Sequence, residues 1–402
     1  MFKMDRRDKD DILTISLNNS NIVFTRYLYL KDEVKLALLI SILNKNNDAI
    51  FWAYELFYSG FKHELFHFIW TIYYDFFATL NPSFEAYLIK KHSEYLSKSF
   101  DPLQISSIIQ NLIIRPFNTD VFMMRKTCEL FETEPTTAVN LDTQIKICDY
   151  KSISQYILSN PSKNYVEIYE SIMQAFEANG LKLVEHRLIK EFLNALKACS
   201  NIVIPNVILL AKMLSFVSAK NKLIKSRNFY MKVFPEDVVQ YETITRTPAL
   251  ESYKILRHAC ICDIDEHDWM SLFRLERNKK DKKTQKPLSL REIYNDKWLY
   301  HASFSPIWFD RIKRYKGYVD YEKCVVNFTD IELEEEFYNN YGYEPDEQRL
   351  EVKIRAGIEA RDVTRHKPKT WIDFYEQYKN TGFIIMEIDE LEAMNEEPIT
   401  YV

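Results

Sequence analysis

The chain predicts a mainly α-helical fold: an irregular, HEAT-like antiparallel helix array with an N-terminal β-hairpin and a smaller mixed α/β C-terminal domain. Three observations carry this expectation. Between residues 31 and 219 apolar side chains recur at spacings of three and four, in stretches of about 12 to 20 residues. Residues 12–30 alternate instead, around the polar cluster from Asn18 to Asn21. Four of only six glycines (Gly317, Gly342, Gly357 and Gly382) lie beyond residue 300, where short strand-like runs appear.

In order, ILTISLNNSNIVFTRYLYL reads as a hairpin with two β-rich arms. Helical runs then follow as KDEVKLALLISILNKN, NDAIFWAYELFYSG, FKHELFHFIWTIYYDFFATL, PSFEAYLIKKHSEYLS, DPLQISSIIQNLIIRP and NTDVFMMRKTCELFE. NYVEIYESIMQAFEANG, KLVEHRLIKEFLNALKACS and PNVILLAKMLSFVSA continue the series. Asn supplies many of the breaks, which suggests left-handed backbone at helix ends. No fixed repeat length is present, so the array is irregular. Past residue 225, KCVVNFTDIEL and TGFIIMEIDEL look like short strands or buried extended runs. The expected organisation is a hairpin segment 1–30, a helical array 31–225, a mixed domain 226–390 with an exposed basic loop 274–287, and an acidic mobile tail 391–402.

Glycine scarcity excludes whole classes of chemistry. At the usual frequency of about 7% the chain would hold roughly 28 glycines; it has six, all isolated. No dinucleotide fingerprint, phosphate-binding loop, nucleophile elbow or kinase glycine loop exists. A net charge of -5 argues against a surface that grips nucleic acid throughout. The six scattered cysteines read as reduced thiols in a reducing compartment. The charged start MFKMDRRDKDD argues against secretion, and no stretch is long and apolar enough for a membrane span.

Four motifs offer chemistry. His63, Glu64 and His67 form H-E-x-x-H on a predicted helix, in which two imidazoles one turn apart hold zinc and Glu64 serves as the base. The third ligand would come from Glu85 or Glu94, and the plain alternative is the polar face His63, His67, Thr71, Asp75 of an amphipathic helix. His258, Cys260, Cys262 and His267 form a second candidate zinc set, although the Cys spacing is too short for a zinc knuckle. The basic loop 274–286, with Arg274, Arg277, Lys279, Lys280, Lys282 and Lys283, could contact nucleic-acid phosphates or simply be solvated. Tyr294, Trp298 and Leu299 fit the Tyr-x4-Leu-hydrophobic motif with which translation-initiation scaffolds dock a cap-binding factor; the alternative packs Trp298 and Leu299 inward.

The run from Arg26 to Leu88, and more weakly ASFSPIWFDRI at 302–312, resembles an uncharacterised helical protein family of giant nucleocytoplasmic large DNA viruses, mimivirus-like, whose AT-rich genomes suit the Lys-, Ile-, Asn- and Tyr-rich usage. The resemblance implies a setting in the host cytoplasm, at the virus factory, or in the virion, and carries no catalytic residues. With no assembled catalytic constellation, the expectation is a scaffold or adaptor working through protein contacts, either translation-initiation-like or a virion assembly component. The alternative is a zinc-dependent hydrolase or metallopeptidase using His63, His67 and Glu64.

Overall fold

The computed structural model describes residues 22–97, 100–130, 140–159, 165–180, 185–221, 230–238, 241, 293, 296–341, 372, 375–376 and 382–396. These residues form a mainly helical structure with one small antiparallel sheet. The helices are α1 (Lys31–Leu43), α2 (Asp48–Tyr58), α3 (Lys62–Ile72), α4 (Phe84–Leu96), α5 (Leu103–Ile113) and α6 (Asp120–Leu130). They continue as α7 (Leu141–Lys146), α8 (Tyr150–Ser159), α9 (Tyr165–Ala178), α10 (Glu185–Cys199) and α11 (Pro205–Lys220). The C-terminal part holds α12 (Trp298–Ala302), α13 (Pro306–Arg314), β1 (Gly317–Asp320), β2 (Val325–Phe328), α14 (Ile331–Tyr341) and α15 (Ile388–Glu396).

Aromatic side chains build the main core. α3 runs directly into a π-helical turn, Tyr73–Phe77, whose five residues are all buried. Trp70, Tyr73, Tyr74, Phe76 and Phe77 pack there edge-on and stacked, for instance Trp70 on Tyr74 at 5.8 Å and Phe76 on Phe122 at 5.0 Å. α11 begins with Pro205, whose missing N–H costs nothing at a helix start. It is apolar nearly all round and packs against the π turn, α6, α8, α9 and α10. In a HEAT-like stack each helix pair touches only its neighbours; here one central helix gathers elements far apart in sequence.

Several expectations change. Residues 22–30 are not an extended hairpin arm but a buried tight loop, bridged only at Phe24 and Leu30, with Leu28 left-handed at φ 61°; residues 12–21 lie outside the described set. The loop is a wedge between two cores. Val23, Tyr27 and Tyr29 face the main one, while Phe24, Leu28 and Leu30 join Trp298, Leu299, Trp308, Ile312 and Phe337 in the second. The seam is sealed by hydrogen bonds from Trp308 Nε1 to the Thr25 carbonyl (2.9 Å) and from Ile307 N to the Ser59 carbonyl (3.2 Å). Gly60 is required there: its φ is +97°, and a Cβ would sit 2.5 Å from Pro306.

The strand read in KCVVNFTDIEL is β2, paired with β1 in the register Gly317↔Phe328 through Asp320↔Val325. TGFIIMEIDEL has no strand partner among the described residues. Its side chains alternate, with Ile384 and Met386 inward and Ile385 outward, before the chain enters α15, which crosses the expected tail boundary at 391 and buries Leu391. α7 and α8 occupy a stretch that the periodicity left unassigned. Asn residues break helices through their side chains instead of left-handed backbone: Asn46 accepts from Asp48 N, Asn140 caps Thr143 N, and Asn81 bonds the Phe77 and Pro116 carbonyls. Among the described non-glycine residues the left-handed positions fall on Leu28, Lys45, Cys148, Lys316 and Cys324.

Candidate interaction surface

Of the H-E-x-x-H set, His63 and His67 are exposed on α3. Glu64 is committed elsewhere: its carboxylate pairs with Lys31 Nζ at 3.1 Å and Lys35 Nζ at 3.2 Å, tying α3 to α1. Burial pushes the Glu64 carboxyl up, but the two ammonium groups outweigh it and hold it below the usual range. Partial burial and the neighbouring His63 lower the pKa of His67. The proposed third ligands do not converge. Glu85 is buried and bonded to Tyr74 and Lys212, and Glu94 pairs with Lys91 at 3.1 Å. Among the described residues no group of three His, Cys, Asp or Glu side chains is placed to hold a metal ion.

The expected polar stripe also ends early. An α-helix turns 100° per residue, so each i+4 step drifts about 40°, and Asp75, within the π turn, ends up buried. Arg125 donates to Asp75 Oδ1 from Nε at 3.0 Å.

Trp298 and Leu299 are interior residues. Trp298 meets Trp308 at 5.5 Å, and both belong to the second core, so they are not available as docking side chains. The five-residue α12 turns them inward because the 22–30 wedge offers the apolar surface that buries them. Tyr294, the cluster of His258, Cys260, Cys262 and His267, and the basic residues from Arg274 to Lys283 lie outside the described residues.

Several buried charges are matched within the chain. Arg26 and Glu55 pair at 2.8 Å in the seam, and Glu55 also accepts Tyr27 N at 3.0 Å. Glu85 takes Lys212 and the Tyr74 hydroxyl near Cys199, whose thiol burial pushes up to about 12, leaving it protonated and unreactive at neutral pH. These groups tie helices together.

The surface reads differently at the C-terminal end of α5. Asn111, itself buried, grips a passing segment with both ends of its amide: Oδ1 accepts Met231 N at 2.9 Å and Nδ2 donates to the Met231 carbonyl at 3.2 Å. One turn on, the Arg115 guanidinium lies 4.1 Å from the Phe84 ring and 4.9 Å from that of Tyr230. Tyr230 rests on Tyr87 at 5.0 Å. Val233 is tucked in, whereas Tyr230 (40% exposed), Met231 (38%) and Phe234 (50%) reach solvent, as does Ile114 (39%), the residue before Arg115. The apolar side chains that reach solvent here are held from beneath by polar anchors. The run NFYMKVFPED lacks a helical period; its cluster of aromatic residues before a proline was the available signal, but exposure depends on what lies under it.

Among the described residues no helix is long and apolar enough to cross a membrane. No family model, curated protein or solved structure matches this chain.

Proposed function

We propose that the protein is a non-enzymatic helical scaffold or adaptor that acts through protein–protein contacts, with Ile114, Tyr230, Met231 and Phe234 as a docking face. The observation that carries this reading is the display of three apolar side chains, Tyr230, Met231 and Phe234, on a segment pinned by Asn111 and Arg115, with Ile114 exposed at the end of α5 next to Arg115. Scattered exposed apolar residues are ordinary, whereas aromatic and Met side chains gathered on a rigid base are what interface hot spots use. The matching of buried carboxylates by Arg26, Arg125 and Lys212 supports the same reading, since those groups are spent on packing. The setting follows the sequence resemblance: an infected cell's cytoplasm or a virion, with virion assembly as the favoured role. A translation-scaffold role is not retained, because Trp298 and Leu299 are inside.

The test is a photo-reactive residue at Phe234 in the full chain expressed in its host, with a second at exposed Asn339 as control. A discrete adduct at 234, lost in Met231→Asp/Tyr230→Ser protein of unchanged melting temperature, is the expected result. Identical adducts at both positions, or none at 234, would refute the docking face.

A further inference from the structure

Residues 382–391 reach the helical body as a strap that, among the described residues, has neither a strand partner nor a helix over its first six residues. Its backbone is held by side chains. Asp120, the first residue of α6, accepts Phe383 N at 2.8 Å through Oδ2 and Ile384 N at 3.2 Å through Oδ1. Gly382 allows the approach, since a Cβ there would lie 2.2 Å from Asp120 Oδ1. Tyr375 accepts Met386 N at 3.1 Å and donates to the Ile384 carbonyl at 3.2 Å. Further along, Lys151 of α8 pairs with Glu390 of α15 at 2.7 Å.

What sets this contact apart is the carboxylate beneath the strap. Asp120 is buried, and its two bonding partners are neutral amides. The titratable groups of the surrounding elements are engaged with one another: Asp75 of the π turn with Arg125, Lys151 with Glu390, and Lys212 of α11 with Glu85. Tyr375 on the strap side bonds backbone, and Tyr150 of α8 lies in the core. None of them contributes charge to Asp120; burial raises its carboxyl to about 6, against the pull of the two N–H donors.

From this geometry we infer that the strap 382–391 is a proton-linked clasp, whose docking over α6 tightens when Asp120 takes up a proton. The sign follows from linkage. With the strap lifted, water reaches the carboxylate and its affinity for protons falls to that of an ordinary Asp. The docked state therefore binds the proton more tightly. Its advantage is complete below the ordinary value of 3.8 and is lost as pH rises through about 6. Between about pH 7.5 and pH 5 the docking equilibrium shifts roughly tenfold toward the docked form. The clasp does not depend on the docking face at Tyr230, and either can fail alone.

The experiment is hydrogen exchange of the full chain, read by mass spectrometry on peptides covering 382–391 and corrected for intrinsic exchange rates. Wild-type protein should show roughly tenfold greater protection of the strap at about pH 5 than at pH 7.5. Asp120→Asn should flatten that ratio. Lys151→Ala should weaken protection at both pH values and leave the ratio intact, which separates the clasp from a generic anchor. Equal wild-type protection at the two pH values, or a tenfold ratio persisting in Asp120→Asn, would overturn the inference. If Asp120→Asn does not fold, the wild-type and Lys151→Ala ratios decide.

Discussion

Replacing Arg26 by Met strands a carboxylate inside the seam. Glu55 has no solvent exposure, and its Oε2 takes Arg26 Nε at 2.8 Å. The guanidinium also bonds the Tyr241 carbonyl at 3.0 Å and lies over Tyr27 and Tyr58 at 4.6 and 4.9 Å. Removing one partner of such a pair leaves an uncompensated buried charge, at a cost of about 3–5 kcal/mol. For a chain of 402 residues melting as a unit, that lowers the midpoint by about 4–6 °C. The double variant Arg26→Met/Glu55→Gln removes the charge while retaining an acceptor for Tyr27 N. It should recover more than half of the loss, because the penalty lies in the orphaned charge more than in the missing bond. Urea titrations of wild type, both single variants and the double variant supply the cycle. The reasoning fails if Arg26→Met costs less than about 1 kcal/mol, or if adding Glu55→Gln makes the protein worse.

Two further outcomes follow from burial. Trp298→Ala should cost about 3–5 kcal/mol in denaturant unfolding, as a large aromatic removed from a core does; a variant as stable as wild type that loses a bound partner would restore Trp298 as a docking residue. His301, with Nδ1 3.2 Å from the Ile22 carbonyl, is lowered by burial to about 4. Its folded value lies below the ordinary 6.5, so its contribution is present above 6.5 and lost as pH falls toward 4. Between about pH 7 and 5 it should remove about 2 kcal/mol of stability, a slope that His301→Gln abolishes. Asp120 runs the other way across a similar range, so the two variants should change the pH–stability curve with opposite signs.

Helices α1 to α6 and α9 to α11 were legible because their apolar spacing reports one buried face per turn, and β2 was legible from KCVVNFTDIEL. α7 and α8 were less legible, since one is only six residues long and the other is a ten-residue helix in which Lys151, Ser152, Ser154, Gln155 and Ser159 interrupt the apolar residues. The candidate motifs show the same division. The spacing in H-E-x-x-H correctly shares His63 and His67 along one helix, but whether Glu64 is a base or a strut was decided by Lys31 and Lys35 arriving from α1. The Tyr-x4-Leu pattern specifies a short helix with two large apolar residues, and the wedge at 22–30 turned them inward.

By itself, then, the sequence determined composition, helical periodicity and the exclusion of glycine-loop chemistry, all of which are local properties of neighbouring residues. Tertiary structure alone decided that residues 22–30 are a wedge, that Tyr230, Met231 and Phe234 are displayed, and that Asp120 is sealed beneath 382–384. The physical reason is that burial, charge compensation and exposure belong to pairs of surfaces brought together across the chain. Asn111 and Met231, or Asp120 and Phe383, carry no mark of each other until the fold places them within hydrogen-bond distance.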